Sequence, residues 1–282
     1  MIEWLTDPLA QRIVVRGIVE LTLLGVVSGA LGCWIVLSGR SYSAESLAHA
    51  MLPGLVAAAL LGVPLLLGGA VGLLVGAVLI ALVGRVPRLD GDVAVSVVIT
   101  SLFGLGVLLG LAPEVPAGLN GILFGDLLGV TDVDIALAGG LAVVVLGVLS
   151  VLHPSLLAVG FDRLNARALG RSPAGLDVVL ALLLAAATLV AVQALGNLLV
   201  VAMLVGPAAT ARLLTRRMVP MMVAATAVAG GASVAGIYLS YHANVAAGAS
   251  VALVLVALYV LALVARIVAD AGGTQGARAV RG

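Results

Sequence analysis

Residues Ile13–Leu37 read IVVRGIVELTLLGVVSGALGCWIVL, an apolar run in which Arg16 and Glu20 are the only charged residues. A helix needs about 20 apolar residues to cross the hydrocarbon core of a bilayer, so this run is long enough to span it. Apolar and polar residues do not alternate in it, as they would in the strand of a membrane barrel. The run therefore predicts a membrane-spanning helix.

The rest of the chain repeats this pattern. Of its 282 residues, 63% are hydrophobic and 10% are charged, whereas a soluble domain has about a quarter charged residues. This composition predicts an all-α polytopic membrane protein with eight or nine spans, at 13–37, 45–62, 64–83, 93–111, 133–152, 177–193, 196–214, 218–240 and 248–267. We expect 1–267 to form one transmembrane domain and 268–282 a short, flexible cytoplasmic tail.

One span, 45–62, is doubtful because Glu45, His49, Pro53 and Gly54 interrupt it. Such a segment either crosses the membrane or forms a broken or re-entrant element that lines a cavity. The spacing of Glu45 and His49 is suited to metal binding. Positions i and i+4 share one helix face, and a carboxylate with an imidazole suits zinc, manganese or iron. The alternative is a polar helix start at the membrane surface.

The arginines orient the predicted spans, because short cytoplasmic loops are enriched in them. They lie in alternate loops, which places these loops and the C-terminus in the cytoplasm. Arg12 and Arg16 favour an inside N-terminus, which requires that 45–62 does not cross completely. If 45–62 does cross, the chain starts outside and has nine spans.

Several classes of function are excluded. The net charge is +1, which indicates neither a nucleic-acid surface nor a polybasic membrane patch. The chain has no lysine, so it has no ATP-binding P-loop and any ATP must be handled by a partner. Cys33 is the only cysteine, and HExxH and GxSxG motifs are absent, so we predict no intrachain disulfide and no enzyme activity.

Other polar residues have structural interpretations. Glu20 lies four residues after Arg16, so we expect the two charges to pair across one helical turn. Gln193 and Asn197 lie at a predicted membrane edge, where bridging between helices is favoured over lining a pathway. Glycine pairs at helical spacing, such as Gly25 with Gly29 and Gly68 with Gly72, predict close helix packing within the chain, with a dimer seam as the alternative.

The segment His153–Gly175 is predicted as the one sizeable inner loop, with His153 at a helix boundary. Asp162 can N-cap a short helix over 163–169 that Gly170 terminates. Such a helix at the membrane surface either docks into another protein or only connects two spans. His242, by contrast, is predicted to be a solvated residue of an outer loop.

Six blocks in the same order resemble the permease subunits of the zinc/manganese/iron ABC importers, the ABC-3 family. They are RSYSAESLAHAMLPG from Arg40, DGDVAVSVVITSLFGLGVLLG from Asp90, ILFGDLL from Ile122, FDRLNARALG from Phe161, QALGNLLVVAMLVGPAATARLL from Gln193 and SYHANVAAGASVAL from Ser240. The resemblance covers nearly the whole chain. It implies the architecture of type II-like ABC importer permeases, with a cytoplasmic coupling helix, in the inner or plasma membrane of a prokaryote.

The resemblance also implies partners and a cargo. The partners are a second copy of the permease, cytoplasmic ABC ATPase subunits and an extracytoplasmic metal-binding protein. The cargo is a divalent zinc, manganese or iron ion, with no permanently bound cofactor. The family's pathway aspartate and histidine map onto Glu45 and His49, and its ATPase-docking segment maps onto Phe161, Asp162, Arg163, Ala166 and Gly170.

The chain departs from the family pattern in two of these blocks, and in the first of them Ala44 stands where the family has glycine. Glu45 replaces the aspartate and keeps its charge, and Asn244 and Val245 stand near an acidic position of the last block. The other functions that we considered are an ABC permease for a larger metal chelate or corrinoid and an ion-coupled secondary transporter. The latter predicts ionisable residues near the centre of several spans, whereas the charges here lie mainly at helix ends.

Overall fold

The computed structural model describes residues 7–39, 41–83, 91–111 and 129–279, apart from the side chains of 41–45, 81, 91–94, 197–198 and 271–279. The regular elements in these ranges are helices. They are α1 (Arg12–Leu37), α2 (Ser41–Leu61), α3 (Leu65–Val83), α4 (Gly91–Gly110), α5 (Asp132–Phe161), α6 (Arg163–Ala168), α7 (Pro173–Leu214), α8 (Met218–Ala243) and α9 (Ala247–Ala279).

The predicted all-α fold class is confirmed, and every predicted span coincides largely with helix. In the described part of the chain, five segments are long and apolar enough to cross a membrane: Arg12–Leu37, Asp132–Phe161, Pro173–Gly196, Met218–Ala243 and Ala247–Asp270. Four shorter apolar segments accompany them: Ser46–Leu61, Leu65–Ile80, Val95–Gly110 and Leu199–Leu214. The number of crossings and the separate C-terminal tail stay predictions.

The irregular backbone does not occur where the sequence suggested it. Helix α2 is continuous through Pro53, so 45–62 is not broken in this structure. The break lies in α7 at Gly196, whose φ of 70° and ψ of 165° are non-helical. Glycine adopts this conformation readily because it has no Cβ. The break separates the two spans predicted at 177–193 and 196–214.

Two histidines predicted to lie outside helix interiors belong to helices. Helix α5 continues past His153 to Phe161, and the His153 ring meets the Trp34 ring edge-on with centroids 5.3 Å apart. His242 lies in the last turn of α8, against Tyr241 with centroids 5.2 Å apart. Both predictions were wrong because α5 continues through Pro154 to Phe161 and α8 ends only at Asn244, whose left-handed backbone caps it. The inner loop is correspondingly shorter.

Helices α1 and α7 form the centre of the molecule. Helix α1 packs against α5, α7 and α8, and α7 also contacts α2 and α9. Small residues allow the close approach: a Cβ on Gly29 would lie 2.7 Å from the Thr226 backbone nitrogen, and one on Gly25 would lie 3.2 Å from Ala229 Cβ. The predicted role of these glycines in packing within the chain is therefore confirmed.

The first helix runs parallel to α5. Near their starts, Arg16 Nη2 lies 2.6 Å from Asp132 Oδ1, and towards their ends Trp34 meets His153. Since α5 leads into the arginine-bearing segment that is predicted to be cytoplasmic, the start of α1 is predicted to lie at the opposite, outer end. This favours the alternative with an outside start. Arg16 pairs with Asp132, which weakens it as a topology signal.

Candidate functional site

His49 lies well inside α2. At 1.5 Å per residue, it is about 12 Å from the start of α2 and about 18 Å from its end. The side chain is half-buried, and its ring meets Phe103 of α4 edge-on, with centroids 4.9 Å apart at 66°. Its neighbours Ala48 and Ala50 are fully buried. The imidazole therefore lies at mid-depth of the helix, between apolar elements.

Close backbone contacts hold the turn of α2 that follows His49. Glycines of α3 and α4 face it: Gly68, Gly72, Gly76 and Gly106. A Cβ on Gly72 would lie 2.9 Å from the Met51 carbonyl oxygen, and one on Gly106 would lie 2.9 Å from the Pro53 nitrogen. Backbone atoms cannot rotate out of the way as side chains can. The position of His49 is therefore determined by three helices together.

Glu45 occupies α2 one turn before His49. Its side chain lies outside the described residues, so the geometry of the pair stays a prediction. Among the side chains that the structure describes, no group of three or more His, Cys, Asp or Glu residues could hold a metal ion. Glu45 stays the predicted partner of His49 in a metal site.

The predicted pairing of Glu20 with Arg16 is wrong. Arg16 pairs with Asp132, which reaches it from another helix, a contact that spacing along α1 cannot reveal. Glu20 is only 2% exposed, and its Oε2 atom has no hydrogen-bond partner. It lines a cavity of about 220 Å³ together with Gln193. The side chain of Asn197, the second predicted bridging residue, lies outside the described part of the chain.

The short inner helix predicted from the sequence is present as α6. Asp162 Oδ1 accepts hydrogen bonds from the second and third N–H groups of the helix, at 2.9 and 3.0 Å. Gly170 follows with a φ of 74°, a value that glycine tolerates. Arg163 forms an ion pair with Asp177 at the start of α7. These contacts fasten the start of α6, and Gly170 terminates it.

The exposed surface around α6 is apolar as well as basic. Phe161, Leu164 and Leu169 are 79%, 77% and 67% exposed, whereas Ala166 is 1% exposed and faces the protein. Large apolar side chains left in contact with solvent indicate an interaction surface. Sequence reasoning missed Leu164 and Leu169. Both residues lie in or beside a short arginine-bearing helix. Such a helix cannot bury all of its faces, and this could have predicted their exposure.

Comparisons with known proteins agree with this geometry. The family model described as the ABC 3 transport family matches residues 10–266. The manganese import system permease protein ScaB of Streptococcus gordonii is 34% identical over 238 residues, which is 84% of this chain and 86% of ScaB. The chelated iron transport system membrane protein YfeC of Yersinia pestis is 32% identical over 248 residues, covering 88% and 84% of the two chains.

A solved structure supports the same assignment. The chain in the structure of PsaBC from Streptococcus pneumoniae in complex with Fab superposes with a TM-score of 0.85 at 30% identity. The match covers 93% of this chain and 95% of that chain. Family model, relatives and fold thus agree over nearly the full length. This chain belongs to the ABC 3 transport family and is a multi-span membrane permease.

Proposed function

We propose that this chain is the membrane-spanning subunit of an ATP-driven importer for a divalent transition metal, with manganese or iron(II) as cargo. The observation that carries the proposal is the match over more than four-fifths of the chain to permeases named for manganese and for chelated iron. Zinc, the third metal expected from the motifs, appears in neither of these names.

In this proposal, Glu45 and His49 are transient ligands of the passing ion. A carboxylate oxygen and an imidazole nitrogen both bind manganese and iron(II). The half-buried imidazole at mid-depth of α2 agrees with this role, because carriers bind their cargo near the middle of the membrane. A second copy of the chain would supply a second pair. Affinity would be modest, since a conducting site must release what it binds.

Helix α6 is the proposed contact with the cytoplasmic ATPase subunits. Its exposed apolar residues, Phe161, Leu164 and Leu169, offer surface to a partner. The Asp162 cap and the Arg163–Asp177 ion pair join α6 to α5 and α7. Motion imposed on α6 would therefore reach α7, which contacts the ligand helix α2. An extracytoplasmic metal-binding protein would deliver the ion at the opposite end.

The proposal is tested by uptake of radioactive Mn²⁺ into proteoliposomes that contain the complete complex and ATP. His49→Ala should lower ATP-dependent uptake at least about tenfold. Loss of a metal ligand reduces activity at least as much as loss of a residue that hydrogen-bonds to a ligand. His242→Ala, at the outer end of α8, is the matched control and should transport normally. Unchanged uptake by His49→Ala, at equal reconstitution, would show that His49 is not a ligand.

A metal chelate is the second candidate cargo, because the name of YfeC specifies chelated iron. The same vesicles distinguish the two cargoes. With iron(II) supplied alone or as a stable chelate, the proposal predicts uptake of the free ion and dependence on His49. Uptake of the intact chelate, unaffected by His49→Ala, would favour the second candidate.

A further inference from the structure

A second acidic feature lies away from His49, near the outer end of the molecule. The cavity of about 220 Å³ is lined by Glu20, Leu65, Gly129, Val130, Asp134, Gln193 and Ala194. Its position at the outer end follows from α1, whose start contacts that of α5 through Arg16 and Asp132. Nearby, Gln11 donates a hydrogen bond to the Tyr241 hydroxyl, in the arginine-free segment predicted to lie outside.

The charges around this cavity are unbalanced. Glu20 is 2% exposed and its Oε2 atom has no hydrogen-bond partner. Asp134 lines the same cavity as Glu20. None of the lining residues is basic, and Arg16 already pairs with Asp132. A buried carboxyl group beside a second one stays ionised only with a compensating positive charge and otherwise takes up a proton, because desolvating an unpaired charge costs several kcal/mol.

The second carboxylate is held in place by its own helix start. Asp134 Oδ2 accepts hydrogen bonds from the Thr131 backbone N–H at 2.9 Å and from the Thr131 hydroxyl at 2.6 Å. This capping box fixes the Asp134 carboxyl group near the cavity. Gln193 contributes a side-chain amide to the same lining. The non-helical backbone at Gly196 follows three residues later, and such helix breaks accompany cation sites in other carriers.

We propose that Glu20, Asp134 and Gln193 form a second divalent-cation site, separate from His49 and nearer the outer end. Its donors are oxygen atoms, which suit Mn²⁺, Mg²⁺ and Ca²⁺ better than thiophilic ions. It rests on the proposed function only for the idea that the ion held there is cargo on its way inward. Ion binding itself requires only the described geometry, and two carboxylates with one amide give a weakly holding site.

The test measures Mn²⁺ binding to the purified full-length chain in lipid nanodiscs. Electron paramagnetic resonance counts free Mn²⁺, so the bound amount follows by difference. The experiment uses a His49→Ala background to remove the first site. This background should bind about one Mn²⁺ per chain, and adding Glu20→Gln should weaken that binding at least about tenfold. Asp134→Asn, which keeps an oxygen to accept the Thr131 hydrogen bonds, should weaken it too.

Asp270→Asn is the control, because it removes a carboxylate of α9 that pairs with Arg266 and does not line the cavity. It should leave Mn²⁺ binding unchanged. The proposal is overturned if His49→Ala alone binds no Mn²⁺, or if Glu20→Gln and Asp134→Asn bind it as tightly as the background. Normal transport by His49→Ala would contradict the proposed function and leave this site standing, so the two failures can be distinguished.

Discussion

Helices α1 and α9 are both long enough to cross a membrane, yet they occupy opposite environments. Helix α1 contains Arg16 and Glu20 and is the less apolar of the two, but 72% of its most apolar stretch is buried inside the protein. The corresponding share of α9 is 17%. In water the more apolar helix would be the buried one. In a bilayer, lipid tails are as apolar as leucine, so apolarity does not select the central helix.

Packing selects it instead. Helix α1 has Gly25, Gly29 and Gly32 on the side that meets α7 and α8, and these residues let backbones approach closely. Helix α9 turns large side chains outward: Leu253, Val256, Leu261 and Val264 are at least half exposed. The comparison teaches that small residues and buried polar groups mark the centre of this protein, while uniform apolarity marks its lipid-facing rim.

The largest effect is expected from Gly29→Val in α1. Its Cβ would lie 2.7 Å from the Thr226 nitrogen and 2.8 Å from Thr226 Cα, so the backbones of α1 and α8 must separate. Overpacking of a core costs about 1–3 kcal/mol, and we expect at least the upper value because the obstructing atoms are backbone. The loss is read as the difference in the free energy of unfolding between the variant and the unchanged protein, measured by SDS titration in bicelles.

Gly140→Val in α5 is the control, because a Cβ there has no atom within 4 Å. It should change the free energy of unfolding by less than about 0.5 kcal/mol, as substitutions away from packed sites do. Equal effects of the two substitutions would mean that the glycines of α1 do not hold the centre together.

A comparable difference is expected between Leu24→Ala in α1 and Leu253→Ala in α9. Leu24 is 1% exposed and Leu253 is 62% exposed. Truncation of a buried leucine costs about 2–5 kcal/mol through lost contacts and the cavity left behind. Lipid refills the space beside Leu253, so its truncation should cost less than about 0.5 kcal/mol. The same SDS titration compares them, and a larger cost at Leu253 would reverse the assigned roles of the two helices.

Sequence reasoning predicted what depends on local composition. Apolar runs located the helices, and the Asp162 cap with Gly170 located α6, because a cap needs only neighbouring residues. It failed where the deciding contact came from another helix. Asp132, not Glu20, pairs with Arg16, and His153 continues α5 against Trp34. The cavity at Glu20 escaped it for the same reason, since α1, α5 and α7 must be assembled before Asp134 and Gln193 approach it.

The central claim is that the chain conducts a divalent metal for an ATP-driven importer. The most direct measurement is ATP hydrolysis by the purified complex with its ATPase subunits and binding protein, across Mn²⁺, Fe²⁺, Zn²⁺ and Ca²⁺ carried by the binding protein. The account predicts stimulation by Mn²⁺ or Fe²⁺, and loss of that stimulation in His49→Ala. Hydrolysis that responds to none of these ions would contradict it.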